Sequence, residues 1–178
     1  IALLPMKEHS DRVPNKNIRL FAGKPLYHYI IKCLIKSEYI EKIVINTDSN
    51  HIAKDAQRQF ESVQIIYRPE EIQGDFVSMN EIIAYDLERL DGEHFLQTHS
   101  TNPLLRLETI DQAIEVYFNS LNKFDSVFSV TRMHTRLYSS DGKPVNHNPQ
   151  HLLRTQDLPP VFEENSNNQK RKRKVGDS

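Results

Sequence analysis

Short apolar runs alternate with amphipathic stretches from the first residue to about residue 131. The apolar runs have the length and β-branched content of buried strands, and we predict strands over residues 1–5, 43–47, 64–67, 94–98 and 126–131. The stretches between them carry apolar positions three to five residues apart, as in helices that bury one face. This alternation predicts an α/β fold, with a mainly parallel sheet and helices on both faces.

Capping residues mark where the predicted helices begin. Pro25 suits the first turn of one helix, and Ser49 can cap a second helix that runs to residue 60. Ser78 and Glu81 have the spacing of a capping box for a third helix to about residue 90. A fourth helix is predicted over residues 107–121.

Length and composition indicate one globular domain. The chain has 178 residues, of which 38% are apolar, enough to bury a core without disulfides or metal ions. The single Cys33 cannot form an internal bridge, so we expect a reducing, cytoplasmic location. No apolar run reaches the roughly 18 residues needed to cross a bilayer, so no membrane partner is expected.

The formal net charge of −1 hides an uneven distribution. Five of the 23 basic residues lie at positions 170–174, and without the last nine residues 18 basic and 23 acidic groups remain. A globally basic nucleic-acid-binding protein is therefore not indicated. Nucleic-acid binding through the short basic run alone stays a weaker alternative, since such runs are usually solvated or act as address signals.

The loop after the first predicted strand concentrates groups that bind phosphate. Lys7, Arg12 and Lys16 supply positive charge, while Ser10 and Asn17 add neutral donors beside the backbone N–H groups at the strand's end. The loop contains no glycine, so it is neither a Walker A loop nor a dinucleotide-binding fingerprint. From these residues alone, an ordinary solvated loop explains the pattern at least as well as phosphate binding.

A longer set of ordered motifs resembles the acylneuraminate cytidylyltransferases, the CMP-sialic acid synthetase family. The resemblance runs from residue 1 to about residue 165, and several motifs in the right order are far more specific than any one of them. The matching segments are residues 1–7, 13–19, 22–26, 44–48, 67–71, 74–75, 102–106, 125–130 and 154–159.

This resemblance implies a Rossmann-like nucleotide-diphospho-sugar transferase fold. It implies transfer of CMP from CTP to the anomeric hydroxyl of a sialic-acid-like 2-keto sugar acid, with Mg²⁺ as cofactor and a homodimer as the assembly. Residues 1–178 would form one cytidylyltransferase domain, with an irregular sugar-site and dimerisation excursion over about 132–165 and a basic tail over 166–178. The family's metal ligands would lie beyond residue 178, so we name none here.

The resemblance also assigns site residues by position. Lys7 and Lys16 are expected to be catalytic, with Lys7 standing where the family usually has arginine. The residues expected to bind the nucleotide are Ser10, Arg12, Asn17, Arg68, Asp75 and Ser78. The residues expected to bind the sugar are His99, Arg154, Gln156, Phe162 and Asn165. Because His99 replaces a substrate-facing glutamine of the family, its charge state would affect the sugar preference.

The sequence departs from the family after Asn165, where a basic run stands in place of a hydrophobic strand. We hypothesise that an internal stretch is absent before this run, and an altered tail is the alternative. This end, and Asp11 where the family usually has lysine, leave open a non-catalytic nucleotide-binding or assembly subunit of the same fold. The acceptor could also be a deaminated or bacterial-type nonulosonic acid, or an eight-carbon keto acid.

Overall fold

The computed structural model describes residues 1–10 and 13–172, and for residues 166–172 the backbone only. The chain divides into two compact units, one formed by Ile1–Val127 with Ser166–Ser178 and the other by Phe128–Asn165. The sequence analysis predicts one domain with an excursion over about 132–165, and the structure groups nearly the same segment as the second unit.

Eight strands and four α-helices are found among the described residues. The strands are β1 (Ala2–Leu3), β2 (Leu20–Phe21), β3 (Lys24–Pro25), β4 (Ile43–Thr47), β5 (Val63–Tyr67), β6 (His94–Thr98), β7 (Ser126–Met133) and β8 (Val161–Lys172). The helices are α1 (Leu26–Ile35), α2 (Asn50–Gln59), α3 (Met79–Arg89) and α4 (Leu107–Ser120), with short 3₁₀ helices at Glu70–Ile72 and Thr155–Asp157.

In the first unit the main sheet has the strand order β5-β4-β1-β6-β8. The strands β5, β4, β1 and β6 are parallel, whereas β8 runs antiparallel beside β6. The mainly parallel α/β fold predicted from the sequence is therefore confirmed. Its parallel strands end at one edge, which is where open α/β sheets bind their ligands.

The two faces of this sheet are covered by different helices, because successive side chains of a strand point to opposite faces. Ala2 and Leu4 lie on one face, in a buried cluster with residues of α1, α2 and α4. Leu3 and Val44 lie on the other face and pack against Ile83 of α3. The apolar stripes of the helices are buried in these two layers.

Strands β2 and β3 form a separate two-stranded hairpin that the hydrophobic pattern does not predict. Its turn residues Ala22 and Gly23 have φ angles of 44° and 81°. Positive φ at both central residues is the geometry of a tight hairpin turn that matches the twist of its strands. The hairpin leads the chain from the first loop into α1.

Strand β8 is also absent from the sequence prediction, which treats residues 166–178 as a basic tail. The backbone continues as a strand to Lys172, with Gln97 of β6 opposite Gln169. Residues 165–172 show no alternation of apolar and polar positions, so their pattern gives no strand signal. Residues 173–178, the end of the predicted tail, lie outside the described residues.

The second unit contains most of β7, the first part of β8 and a largely irregular segment between them. A turn at Asp141-Gly142 is closed by a bridge between Tyr138 and Pro144, with Gly142 at φ 78°. No helix within residues 1–10 and 13–172 has both the length and the apolar character needed to span a membrane.

Candidate functional site

A cleft lined by both polar and apolar residues, with a volume of about 220 Å³ and partly open to solvent, lies at the carboxyl edge of the parallel strands of the first unit. Its walls come from the loops that follow β1, β5 and β6 and from the start of α3. These loops bring together residues that are far apart in the sequence. Seven residues predicted for the site line the cleft: Lys7, Ser10, Lys16, Asn17, Arg68, Asp75 and His99.

The loop after β1 is held in shape by Asn17, which is buried. Its amide Nδ2 donates to the backbone oxygen of Lys7 at 2.8 Å, and its Oδ1 accepts a hydrogen bond from Ser100 Oγ at 2.5 Å. Because both ends of the amide are occupied, Asn17 connects the two arms of its own loop to the loop after β6. The geometry of Asn17 therefore indicates that it stabilises the loop, whereas Lys7 and Lys16 are the lysines of this loop that line the cleft.

Arg68 directly follows β5 and is 6% exposed. Its Nε donates to Asn46 Oδ1 at 2.7 Å, and its Nη2 donates to the backbone oxygens of Asn46 at 3.1 Å and Met6 at 3.3 Å. Nη1 takes no part in these hydrogen bonds. The guanidinium is thus fixed against β4 and the end of β1 while it lines the cleft.

Behind Arg68, the side chain of Asn46 connects to a buried carboxylate on α3. Asn46 Nδ2 donates to Asp86 Oδ1 at 2.6 Å, while Asp86 Oδ2 is buried without a hydrogen-bond partner. Burial raises the pKa of Asp86 to about 6, although the hydrogen bond from Asn46 and the charge of Arg68 act in the opposite direction. Burial also lowers the pKa of Arg68, against the opposing effects of Asp48 and Asp86.

Lys7 and Asp75 form an ion pair at the cleft, between the loop after β1 and the loop after β5. Three cationic side chains (Lys7, Lys16 and Arg68) and a single carboxylate line the described cleft. This excess of positive charge suits an anionic ligand.

His99 follows β6 and lines the same cleft as Lys16. Burial lowers the pKa of His99, and the positive charge of Lys16 lowers it further. The ring is therefore neutral at pH 7, where one of its nitrogens donates a hydrogen bond and the other accepts one.

The remaining predicted nucleotide contacts are placed differently. Ser78 is the N-cap of α3, where its Oγ accepts a hydrogen bond from Glu81 N at 3.2 Å in the predicted capping box. Val77 and Met79 on either side of Ser78 line the cleft, and Ser78 itself is not among the lining residues. Arg12 lies outside the described residues.

The predicted sugar-binding residues other than His99 all belong to the second unit. Arg154 is exposed and pairs with Asp157 through Nε at 2.6 Å and Nη2 at 3.2 Å. Gln156 lies in the adjacent 3₁₀ helix, and Phe162 is 59% exposed on β8. Asn165 Oδ1 accepts a hydrogen bond from Thr131 Oγ1 at 2.8 Å. Their role in sugar binding stays a prediction.

The site contains polar residues that the sequence analysis does not select, in particular Ser100, Asn46 and Asp86. The sequence contains a signal for Asn46 and Asp86. Asn46 interrupts an apolar strand, and Asp86 falls three to four residues after Ile82 and Ile83 on the buried face of α3. A polar residue at a buried position of a strand or helix needs a partner, so such positions indicate a polar network.

No group of three or more His, Cys, Asp or Glu side chains within the described residues is arranged to hold a metal ion. Asp75 is the one carboxylate among the described residues that line the cleft. Mg²⁺ bound to proteins is usually held by one or two carboxylates together with substrate phosphates, and the Mg²⁺ implied by the family resemblance stays a prediction.

A mainly parallel α/β sheet with helices on both faces and a cleft at the carboxyl ends of its strands places the chain in the Rossmann-like fold class, whose members bind their ligands at this edge. Within that class, the chain belongs to the cytidylyltransferase family, whose family model matches residues 1–176. The family resemblance seen in the sequence motifs is thereby confirmed.

Relatives of known function give the same result. The chain is 33% identical over 133 residues to an N-acylneuraminate cytidylyltransferase of Escherichia coli. This match covers 74% of this chain and 31% of that protein. It is 32% identical to a CMP-N,N'-diacetyllegionaminic acid synthase of Legionella pneumophila and 26% identical to a pseudaminic acid cytidylyltransferase of Campylobacter jejuni. These matches cover 66% and 70% of this chain and 52% and 55% of those proteins, so the chain spans about a third to a half of these relatives.

Solved structures with little sequence identity show the same fold. A CMP:2-keto-3-deoxy-manno-octonic acid synthetase complexed with CTP superposes with a TM-score of 0.71 at 10% identity, over 97% of this chain and 73% of that one. A 4-diphosphocytidyl-2C-methyl-D-erythritol synthase from Anaerococcus prevotii superposes with a TM-score of 0.66 at 13% identity, over 96% and 69% of the two chains.

Proposed function

We propose that this chain acts in a cytidylyltransferase that moves CMP from CTP onto the anomeric hydroxyl of a sialic-acid-like 2-keto sugar acid. The observation that supports this most is the cationic cleft, where loops from three parallel strands bring Lys7, Lys16 and Arg68 together. The names of the family relatives, which act on acylneuraminic, pseudaminic and legionaminic acids, support a sugar acid as the acceptor.

In this reaction the anomeric hydroxyl releases its proton to water while its oxygen forms a bond to the α-phosphorus of CTP. The bond between the α-phosphorus and the oxygen that bridges to the β-phosphate breaks, and its electron pair leaves with pyrophosphate. Pyrophosphate leaves with more negative charge than it carried as part of CTP. Lys7 and Lys16 are suited to neutralise that charge, because their ammonium groups donate charge-assisted hydrogen bonds to phosphate oxygens. Lys7 pairs with Asp75 here, so binding the triphosphate would exchange one anionic partner of Lys7 for another.

The loop geometry contributes by fixing these cations in advance. Asn17 holds the loop after β1 to the loop after β6, and Arg68 is anchored by three hydrogen bonds. Positioning of this kind lowers the barrier to phosphoryl transfer, since the protein mainly orients the groups and stabilises charge. A neutral His99 can donate to or accept from an uncharged polar group of either substrate.

The requirement for Mg²⁺ comes from the family resemblance and stays a proposal. When bound, Mg²⁺ would neutralise charge on the phosphates of CTP. The described residues of the cleft supply one carboxylate, Asp75, so no step of the reaction is assigned to the metal here.

A homodimer is proposed on the same grounds, and the surface of the second unit supports it. Large contiguous patches of exposed apolar side chains often mark protein–protein interaction sites. The exposed apolar residues of this unit are Phe128, Val130, Leu137, Tyr138, Val145, Leu152, Leu153 and Phe162, each between 37% and 69% exposed.

The proposed function is tested by incubating the purified protein with Mg²⁺, CTP and a panel of 2-keto sugar acids, and measuring the pyrophosphate released. The panel includes N-acetylneuraminic, pseudaminic and legionaminic acids, a deaminated nonulosonic acid and an eight-carbon keto acid. We expect pyrophosphate release that depends on both CTP and one class of acceptor. CTP binding without release for any acceptor would instead favour a non-catalytic nucleotide-binding subunit.

A further inference from the structure

Three buried polar side chains form a chain of hydrogen bonds that leads from α3 to the cleft. Asn46, Asp86 and Arg68 are 0%, 1% and 6% exposed. Asp86 Oδ1 accepts from Asn46 Nδ2 at 2.6 Å, and Asn46 Oδ1 accepts from Arg68 Nε at 2.7 Å. Arg68 lines the cleft, whereas Asn46 and Asp86 do not.

The direction of these hydrogen bonds is determined by Arg68. A guanidinium group has donors and no acceptor, so the amide of Asn46 must direct its oxygen toward Arg68. The Nδ2 group then points the other way and needs an acceptor, because an unpaired buried donor is costly. Asp86 supplies that acceptor, and a carboxylate makes a stronger one than a neutral group.

Packing alone does not explain a carboxylate at this position. The face of α3 that carries Asp86 packs on apolar residues of the neighbouring strands, including Leu3, Val44 and Phe95. The charged groups that influence Asp86 are Arg68 after β5 and Arg89 on α3. Burying a charge in such a place destabilises the fold unless it is paired, and Oδ2 has no partner among the described residues.

We infer that Asp86 is a positioning residue of the nucleotide cleft: its carboxylate orients the Asn46 amide, and that amide holds the Arg68 guanidinium toward the ligand. This inference rests on the proposed function, since it assumes that CTP occupies the cleft. Asp86 acts through Asn46 and does not line the cleft. Protonation of Asp86, or its replacement by asparagine, weakens the hold on Arg68 and with it the affinity for CTP.

The test compares CTP affinity of the wild-type protein and of Asp86→Asn by isothermal titration between pH 5 and pH 8. Asparagine keeps the shape and an acceptor oxygen but removes the charge. We expect Asp86→Asn to bind CTP about tenfold more weakly at pH 7.5, the size of the advantage of a charge-assisted over a neutral hydrogen bond. At pH 5 the wild-type carboxyl is also largely neutral, so the two affinities should agree within about twofold.

The comparison cancels the other groups that titrate in this range. The phosphates of CTP and the ring of His99 change their charge equally in both proteins, so the ratio of affinities reports on Asp86. Asp55→Asn is the control: Asp55 is a partly buried aspartate that bonds His28 Nε2 at 2.7 Å and does not line the cleft. We expect Asp55→Asn to bind CTP as the wild type does at each pH.

A second measurement uses only the wild-type protein. Protonation of Asp86 and binding of CTP affect each other by the same factor. If the charged form of Asp86 favours CTP binding, then CTP binding must lower the pKa of Asp86. Carboxyl ¹³C NMR titration with and without saturating CTP measures this directly, and a tenfold coupling corresponds to a decrease of about one pH unit.

The outcomes separate this inference from the proposed function. If wild-type protein binds CTP but the ratio to Asp86→Asn is constant from pH 5 to pH 8, or the pKa of Asp86 is unchanged by CTP, Asp86 has no positioning role. If wild-type protein binds no CTP at any pH, the proposed function fails and this inference fails with it.

Discussion

The carboxylate of Asp86 illustrates how a single residue can lower stability where it supports a site. Burial raises the pKa of Asp86 to about 6 from 3.8. Between these two values the native state binds more protons than the unfolded state, so this group makes stability fall as pH rises. Natural proteins often retain residues that lower stability where those residues support a functional site.

Asp86→Asn should therefore increase stability. We expect the free energy of unfolding at pH 7.5 to rise by about 1–2 kcal/mol, since raising a carboxyl pKa by this much corresponds to about 3 kcal/mol at most. The gain should shrink as pH falls from 6 to 4, where the wild-type carboxyl becomes protonated in the native state. Urea unfolding at several pH values measures this, and a loss of stability at pH 7.5 would contradict it.

Asp55→Asn should change the free energy of unfolding in the opposite direction and serves as the control. Burial acts to raise the pKa of Asp55, but the hydrogen bonds from Tyr27 and His28 outweigh it and lower the pKa. Its charged form stabilises the native state above its unfolded pKa, and that contribution is lost as pH falls through the folded pKa. Asparagine at this position should therefore reduce stability at pH 7.5.

His99 offers a direct test of the electrostatics of the cleft. Burial lowers the pKa of His99 first, and the charge of Lys16 second. Lys16→Ala should raise the pKa of His99 while leaving it below that of an exposed histidine. NMR titration of the ring Hε1 signal measures the pKa in both proteins, and an unchanged value would show that the two side chains do not interact.

At the residue scale, the sequence predicts the charged groups of the cleft but not their supporting contacts. Lys7, Lys16 and Arg68 were selected through the family resemblance, because the residues alone fit ordinary solvated loops at least as well. Ser100 could not be selected, because its importance depends on a contact with Asn17, which is distant in the sequence. The position of Asp86 on the buried face of α3 indicates that it needs a partner, but the sequence does not show that this partner is Asn46.

At the scale of elements, capping signals predicted the helices of the first unit well. The start of α2 at Asn50 and of α3 at Met79 follows the predicted caps Ser49 and Ser78. A helix cap is formed by residues that are close together in the sequence, so it can be predicted from the sequence alone. Strand β8 was not predicted, because its backbone pairing with β6 has no counterpart in its hydrophobic pattern.

The cap of α3 is tested by Ser78→Ala, with Ser78→Thr as the matched control. Alanine cannot accept the hydrogen bond from Glu81 N, whereas threonine can. We expect Ser78→Ala to lower the free energy of unfolding by about 1 kcal/mol and Ser78→Thr to lower it much less. Denaturant unfolding followed by circular dichroism gives both values, and equal stability of the two variants would argue against the cap.

At the scale of the whole molecule, the proposed homodimer makes a prediction about mass. We expect light scattering to give twice the chain mass of 20.8 kDa. Placing charges on the apolar surface of the second unit, with Val145→Asp and Leu152→Asp together, should shift the protein to a monomer. Leu104→Asp is the matched control, since Leu104 is 76% exposed in the first unit. A monomeric wild-type protein would rule out this assembly.

The central claim is that the cleft of the first unit binds a nucleoside triphosphate through its lysines. Isothermal titration with CTP tests it most directly, on the wild-type protein, on Lys16→Ala and on Lys54→Ala, an exposed lysine of α2 outside the cleft. The account predicts that the wild type and Lys54→Ala bind CTP equally and that Lys16→Ala binds at least about tenfold more weakly. No CTP binding by the wild type, or equal binding by Lys16→Ala, would contradict the account.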